Sequence, residues 1–92
     1  MQVYFFATLR DIVGGKTVEV PITEPITVEA LLEALFQRYP LLRSALLDDQ
    51  GQLYPQVHVL VNGRDVQYLE EGLQTRITDQ DTVSIFPAVG GG

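Results

Sequence analysis

The sequence predicts an α+β roll, a mixed sheet of about four to five strands with one main helix packed across it. Three observations carry this. The chain has 92 residues, a length that suits one domain with one core. Apolar, β-branched and aromatic runs open and close it, at residues 2–9 and 82–86. Between them stands one long run with helical spacing, Val28 to Tyr39. A single amphipathic helix of this kind must cover one face of a sheet to bury its stripe.

The elements follow in order. Gln2 to Leu9 (QVYFFATL) is rich in aromatic and β-branched residues and reads as a strand. Its alternation sends Val3, Phe5 and Ala7 to one face, Tyr4 and Phe6 to the other. Gly14-Gly15 marks a turn. Thr17 to Ile22 alternates as the returning strand of a hairpin, with Pro21 near its end, where a missing donor matters least. Thr27 is a helix N-cap. After it Val28, Leu31, Leu32, Leu35, Phe36 and Tyr39 form one apolar face. Glu29 and Glu33 early and Arg38 late suit the helix dipole, and Pro40 ends the run.

Leu41 to Leu47 is expected as a short helical turn, with residues 48–51 a loop. Val57 to Val61 is a strand, and Asn62-Gly63 a hairpin turn, because both residues accept positive φ. Residues 64–66 return as a short strand, turns follow at 70–72 and 79–81, and Thr82 to Phe86 is the last strand. With the first and last strands both apolar, they are expected to pair at the centre of the sheet. The β-grasp has this architecture. The domain is expected over residues 1–89, with 90–92 as a glycine tail.

Composition removes several function classes. There is no cysteine, hence no disulfide, thiolate nucleophile or cysteine metal site. The net charge of −6, with scattered basic residues, offers no stripe for nucleic acid. No apolar stretch is long enough to span a bilayer and no secretory segment is visible, so a cytoplasmic protein without a membrane partner is expected. The one histidine, His58, sits on a strand and points away from the face of Val57 and Val59. No catalytic or ligand partner can be placed beside it, and it reads as a surface or satisfied sheet residue. Asp48-Asp49 and Glu70-Glu71 read as solvated loop charges, so neither metal nor catalytic residues are expected. Tyr4, Phe6 and Phe86 would form either an exposed aromatic partner surface or a patch covered by a loop or by the Leu41–Leu47 segment.

The chain closes Phe86-Pro87-Ala88-Val89-Gly90-Gly91-Gly92. Glycine is the residue that loses most entropy on ordering, so such a tail stabilises no fold. It is either a frayed end or a thin thread able to enter a narrow channel in another protein. A carboxylate is a poor acyl donor, but transfer to the α-phosphate of ATP makes an acyl-adenylate with a good leaving group. A sulfur nucleophile then gives a thiocarboxylate, and a lysine amine gives an isopeptide bond.

Residues 79–92 (DQDTVSIFPAVGGG) resemble the terminus of the MoaD/ThiS sulfur carriers: an aspartate-rich turn, an apolar strand, then Pro-x-Val-x-Gly-Gly, met here by Pro87, Val89, Gly91 and Gly92. Val3 to Arg10 looks like that family's first strand and Val57 to Gly63 like its middle strand and turn, so the resemblance spans nearly the whole chain. It implies a ubiquitin-like fold and a non-catalytic carrier role. An adenylating activating enzyme binds the ATP, and the carrier itself holds no cofactor. Gly92 is then the adenylated and thiocarboxylated residue, Gly90 and Gly91 thread the partner's active site, and Phe6, Phe86, Pro87 and Val89 dock on partners. The sulfur acceptor is a cysteine synthase-like enzyme or the large subunit of molybdopterin synthase. Pro87-Ala88 in place of two prolines, the longer loop over 48–56, and Arg64-Asp65 beside the docking face look more like the CysO-type carriers. Two other functions remain open: a ubiquitin-like modifier joined to lysines, and a plain β-grasp interaction module.

Overall fold

The computed structural model describes residues 1–87. It holds a five-stranded sheet in the order β2-β1-β7-β4-β5. The strands are β1 (Gln2–Phe5), β2 (Thr17–Glu19), β4 (His58–Val61), β5 (Arg64–Asp65) and β7 (Val83–Phe86). The first and last strands pair in parallel, Val3 with Val83 and Phe5 with Ile85, at the centre of the sheet as the sequence predicts. All other pairings in this sheet are antiparallel. A second, two-stranded ladder joins β3 (Ile26–Thr27) to β6 (Arg76–Ile77); residues this few give no periodicity to detect in the sequence.

Strand alternation gives the sheet one dry face. Val3, Phe5, Val18, Val59, Val61, Val83 and Ile85 are all buried. The helix α2 (Val28–Arg38) packs its expected stripe, Val28, Leu31, Leu32, Leu35 and Phe36, into the same core. The Thr27 hydroxyl oxygen caps it, accepting from the Ala30 N–H at 3.1 Å.

Several boundaries differ from expectation. The first strand ends at Phe5, and residues Leu9–Val13 form a helix, α1. Ala7 takes a positive φ of 52°, which turns the chain out of the sheet. The carbonyls of Phe6, Ala7 and Thr8 then accept from the N–H groups of Leu9, Arg10 and Asp11. The turn carries Leu9 into the core, where it is 1% exposed. The second strand stops at Glu19 instead of Ile22, although the Val20 N–H still donates to the Met1 carbonyl. The expected turn after α2 is a full helix, α3 (Pro40–Leu46), which Pro40 starts. It packs against α2 and α1 with Leu42 and Leu46 fully buried. The Leu41–Leu47 segment therefore fills the core on the helical side and does not cover the opposite, aromatic face.

A candidate partner-docking site

The face of the sheet away from the helices carries the site. The Asn62-Gly63 turn, with φ of 52° and 83°, sets the β4–β5 register so that Leu60 faces Asp65 and Val61 faces Arg64. In the neighbouring ladder His58 lies opposite Phe86 and Leu60 opposite Ser84. With Val59 and Ile85 pointing inward, His58, Leu60, Asp65, Ser84 and Phe86 share the outer face, and Tyr4 joins them from β1 at 38% exposure.

Just past the end of β1, Phe6 lies flat on Phe86, the ring centroids 4.1 Å apart and the planes 9° from parallel. Both rings are half-buried. Arg10 lies over the Phe6 ring, its guanidinium carbon 5.3 Å from the centroid. Its Nε donates to the Phe5 carbonyl at 2.9 Å, which fixes the arginine in place. A guanidinium over an aromatic face is attracted by the ring quadrupole, so Arg10 helps hold the Phe6 ring of the stack in place. Beside it lies an open hollow of about 490 Å³, walled by Ala7, His58, Leu60, Gly63, Asp65, Phe86 and Pro87. Pro87 stands at its margin, and residues 88–92 follow.

At this margin His58 is the satisfied sheet residue that the sequence suggests, with a partner the sequence reading did not name. Its Nδ1 lies 2.6 Å from Asp65 Oδ2. Burial acts to raise the Asp65 pKa, but hydrogen bonds from the Gln67 N–H, from His58 and from the Gln67 amide outweigh it and hold the carboxyl below its ordinary value. An ionised carboxylate only accepts, so the hydrogen in this contact sits on His58 Nδ1. The pairing was legible in principle. Two residues of hairpin turn fix the register, which puts Asp65 on the outer face diagonal to His58.

Of the residues expected to act, the structure brings Phe86 and Pro87 to one hollow, with Phe6 stacked on Phe86. Val89, Gly90, Gly91 and Gly92 lie outside the described residues. Among the described residues, no group of three or more histidine and carboxylate side chains is arranged to hold a metal ion, and no helix is long and apolar enough to cross a membrane.

The chain matches the model of the ThiS family over residues 3–92. It belongs to the ThiS family. Small archaeal modifier protein 3 of Haloferax volcanii is 40% identical over 92 residues, covering all of this chain and 98% of that protein. The sulfur carrier protein CysO of Mycobacterium tuberculosis is 38% identical over 68 residues, 72% of each chain. A chain in the crystal structure of the Amycolatopsis orientalis BexX/CysO complex superposes with a TM-score of 0.79 at 32% identity, covering 99% of this chain and 98% of that one. The expected MoaD/ThiS-type, ubiquitin-like β-grasp is thus the fold of this protein. As a member of the ThiS family it is a small carrier or modifier protein and not an enzyme.

Proposed function

We propose that the protein is a sulfur carrier whose Gly92 is adenylated by a ubiquitin-activating-type enzyme and then converted to a thiocarboxylate. The observation that carries this is the family match running through Gly92, on a chain whose last strand sets a rigid aromatic stack at the root of the glycine tail. In the first step a carboxylate oxygen attacks the α-phosphorus of ATP and pyrophosphate leaves. In the second a sulfur nucleophile attacks the acyl carbon and AMP leaves. The chain's own part is binding. Phe6, Phe86 and Pro87, with Val89 beyond them, dock on the partner, and Gly90 and Gly91 offer no Cβ to obstruct a narrow channel. The ATP belongs to the partner. The chain lacks cysteine, so any sulfur it carries sits on the main-chain carbonyl.

The acceptor under this reading is a cysteine synthase-like enzyme or a molybdopterin synthase large subunit. The relative named CysO, found in complex with BexX, supports a carrier that docks on another protein. A second reading has its own observation: the 40% identity with a protein named a small archaeal modifier, over the whole chain, favours conjugation to lysines. Both start from the same adenylate. The intact mass of the protein purified with its activating enzyme and ATP separates them. A gain equal to sulfur replacing oxygen in the C-terminal peptide supports the carrier. Adducts joined through Gly92 to lysines make the protein chiefly a modifier. An unchanged mass beside an active enzyme refutes both.

A further inference from the structure

We propose that Lys16 is the site at which a second copy of this chain, activated at Gly92, is joined through an isopeptide bond. The inference rests on the activation of Gly92 proposed above. It starts from the amines that the chain presents. Five of its six basic residues are arginines, and Lys16 is the single lysine. A guanidinium stays protonated and is no nucleophile at physiological pH. Self-joining through nitrogen therefore has two candidate acceptors, the Lys16 Nζ and the Met1 amino group.

The structure disposes of the second. Met1 is buried at 4% exposure. Its amino group donates to Glu19 Oε2 at 2.8 Å, to the Val20 carbonyl at 2.8 Å and to Asp79 Oδ1 at 2.5 Å. These partners use all three hydrogens of an ammonium group. The hydrogen bond to Asp79 first, and then that to Glu19, raise the pKa of the amine above 8.0 against the opposing effect of burial. An ammonium ion has no lone pair, and attack would require breaking two ion pairs.

Lys16 is in the opposite condition. It is exposed, and among the described residues its ammonium group has no hydrogen bond or ion pair. Its backbone is nonetheless fixed, because the Lys16 carbonyl accepts from the Phe5 N–H at 2.8 Å. Gly14 and Gly15 precede it, and a Cβ at Gly14 would meet nothing within 4 Å. An enzyme carrying an activated terminus therefore finds a bare approach to an amine of fixed position.

The step balances without a further reagent. The neutral Lys16 amine attacks the Gly92 carbonyl carbon of the adenylated copy. A C–N bond forms, the bond from that carbon to the phosphate oxygen breaks, AMP leaves, and the amine proton passes to solvent.

Two experiments test this. The first uses untagged protein and the N-hydroxysuccinimide ester of acetyl-Gly-Gly at neutral pH, with peptide mapping by mass spectrometry. In the unfolded chain the α-amine, with its ordinary pKa of about 8, reacts ahead of a lysine near 10.4. Folding is expected to invert that order in favour of Lys16, and an unchanged order overturns the inference. The second incubates the protein with its activating enzyme and ATP and maps any joined copies. A branched peptide linking residues 77–92 to Lys16, absent in Lys16→Arg while Gly92 is still activated, is the expected result. If Gly92 is activated but copies join through Met1, or not at all, this inference fails and the reading of Gly92 stands. If Gly92 is never activated, both fail.

Discussion

Replacing Phe86 by alanine separates docking from stability. The ring is half-buried on the outer face and stacked on Phe6 at 4.1 Å. Full burial of a phenylalanine side chain contributes roughly 1.5–3 kcal/mol, so half of that is about 1 kcal/mol. An aromatic stack adds about 0.5–1.5 kcal/mol beyond its area. Phe86→Ala should therefore cost about 2 kcal/mol, or about 10 °C in Tm for a domain of this size. Ile85→Ala, one residue earlier and fully buried, should cost about 2–5 kcal/mol. Urea unfolding gives both values, provided the m-value is unchanged. The cycle of Phe6→Ala, Phe86→Ala and the double variant should show a coupling of about 0.5–1.5 kcal/mol from the stack. As an aromatic anchor in a partner pocket, Phe86 should also carry at least about tenfold in the kcat/KM of adenylation measured at saturating ATP. A stability loss equal to that of Ile85→Ala would make the ring a core residue. An unchanged adenylation rate with folded protein would refute the docking role.

Adding one residue after Gly92 should abolish adenylation with Tm unchanged, read by pyrophosphate release and a thermal melt. Gly63→Ala meets no atom within 4 Å but must hold φ of +83°, so it should cost about 1–2 kcal/mol by denaturant unfolding. Asp81 is held below its usual 3.8 by a hydrogen bond from Asn62 Nδ2 and then by the Thr78 N–H. Its folded pKa is depressed, so its stabilisation is present above about 3.8 and lost as pH falls through the lower folded value; Asp81→Asn should flatten that acid limb in urea titrations. The Met1 amine shows the opposite sign, with its pKa raised above 8.0. Its stabilisation is complete below 8.0 and disappears as pH rises through the folded value, and Asp79→Asn should reduce that alkaline loss.

What was legible in the sequence is what strong periodicity encodes. The α2 stripe from Val28 to Phe36 and its Thr27 cap could be read directly, because an eleven-residue helix repeats its spacing three times over. The central β1–β7 pairing followed from two apolar strands at either end of the chain. The α1 helix escaped, because Ala7 is not a residue that announces a positive φ, and without that kink the run through Leu9 reads as continuous strand. The site was half legible. Alternation put Phe6 and Phe86 on the outer face, but no local pattern says that residues eighty positions apart will stack in parallel planes. His58–Asp65 needed a step that was open: carrying the register of the Asn62-Gly63 turn back along two strands.

The position of β7 fixes where the aromatic stack sits. β7 is paired on both sides, with β1 and with β4, so the backbone that carries Phe86 is held by two ladders. Edge strands have one and fray more readily. Gly92 stands six positions after Phe86, and an extended chain spans at most about 3.3–3.6 Å per residue, or about 22 Å over six, so under the proposed function the Gly92 carboxylate stays within that distance of the docked ring. Under the proposed function the stack is the fixed end of a short tether. Any partner that seats Phe6 and Phe86 and acts on Gly92 must place its reacting centre inside that radius, joined to the docking pocket by a channel narrow enough to favour glycine. One extra residue moves the carboxylate about 3.5 Å further along the thread, more than the tolerance of a near-attack geometry. This is why extension should abolish activation while leaving the folded domain untouched.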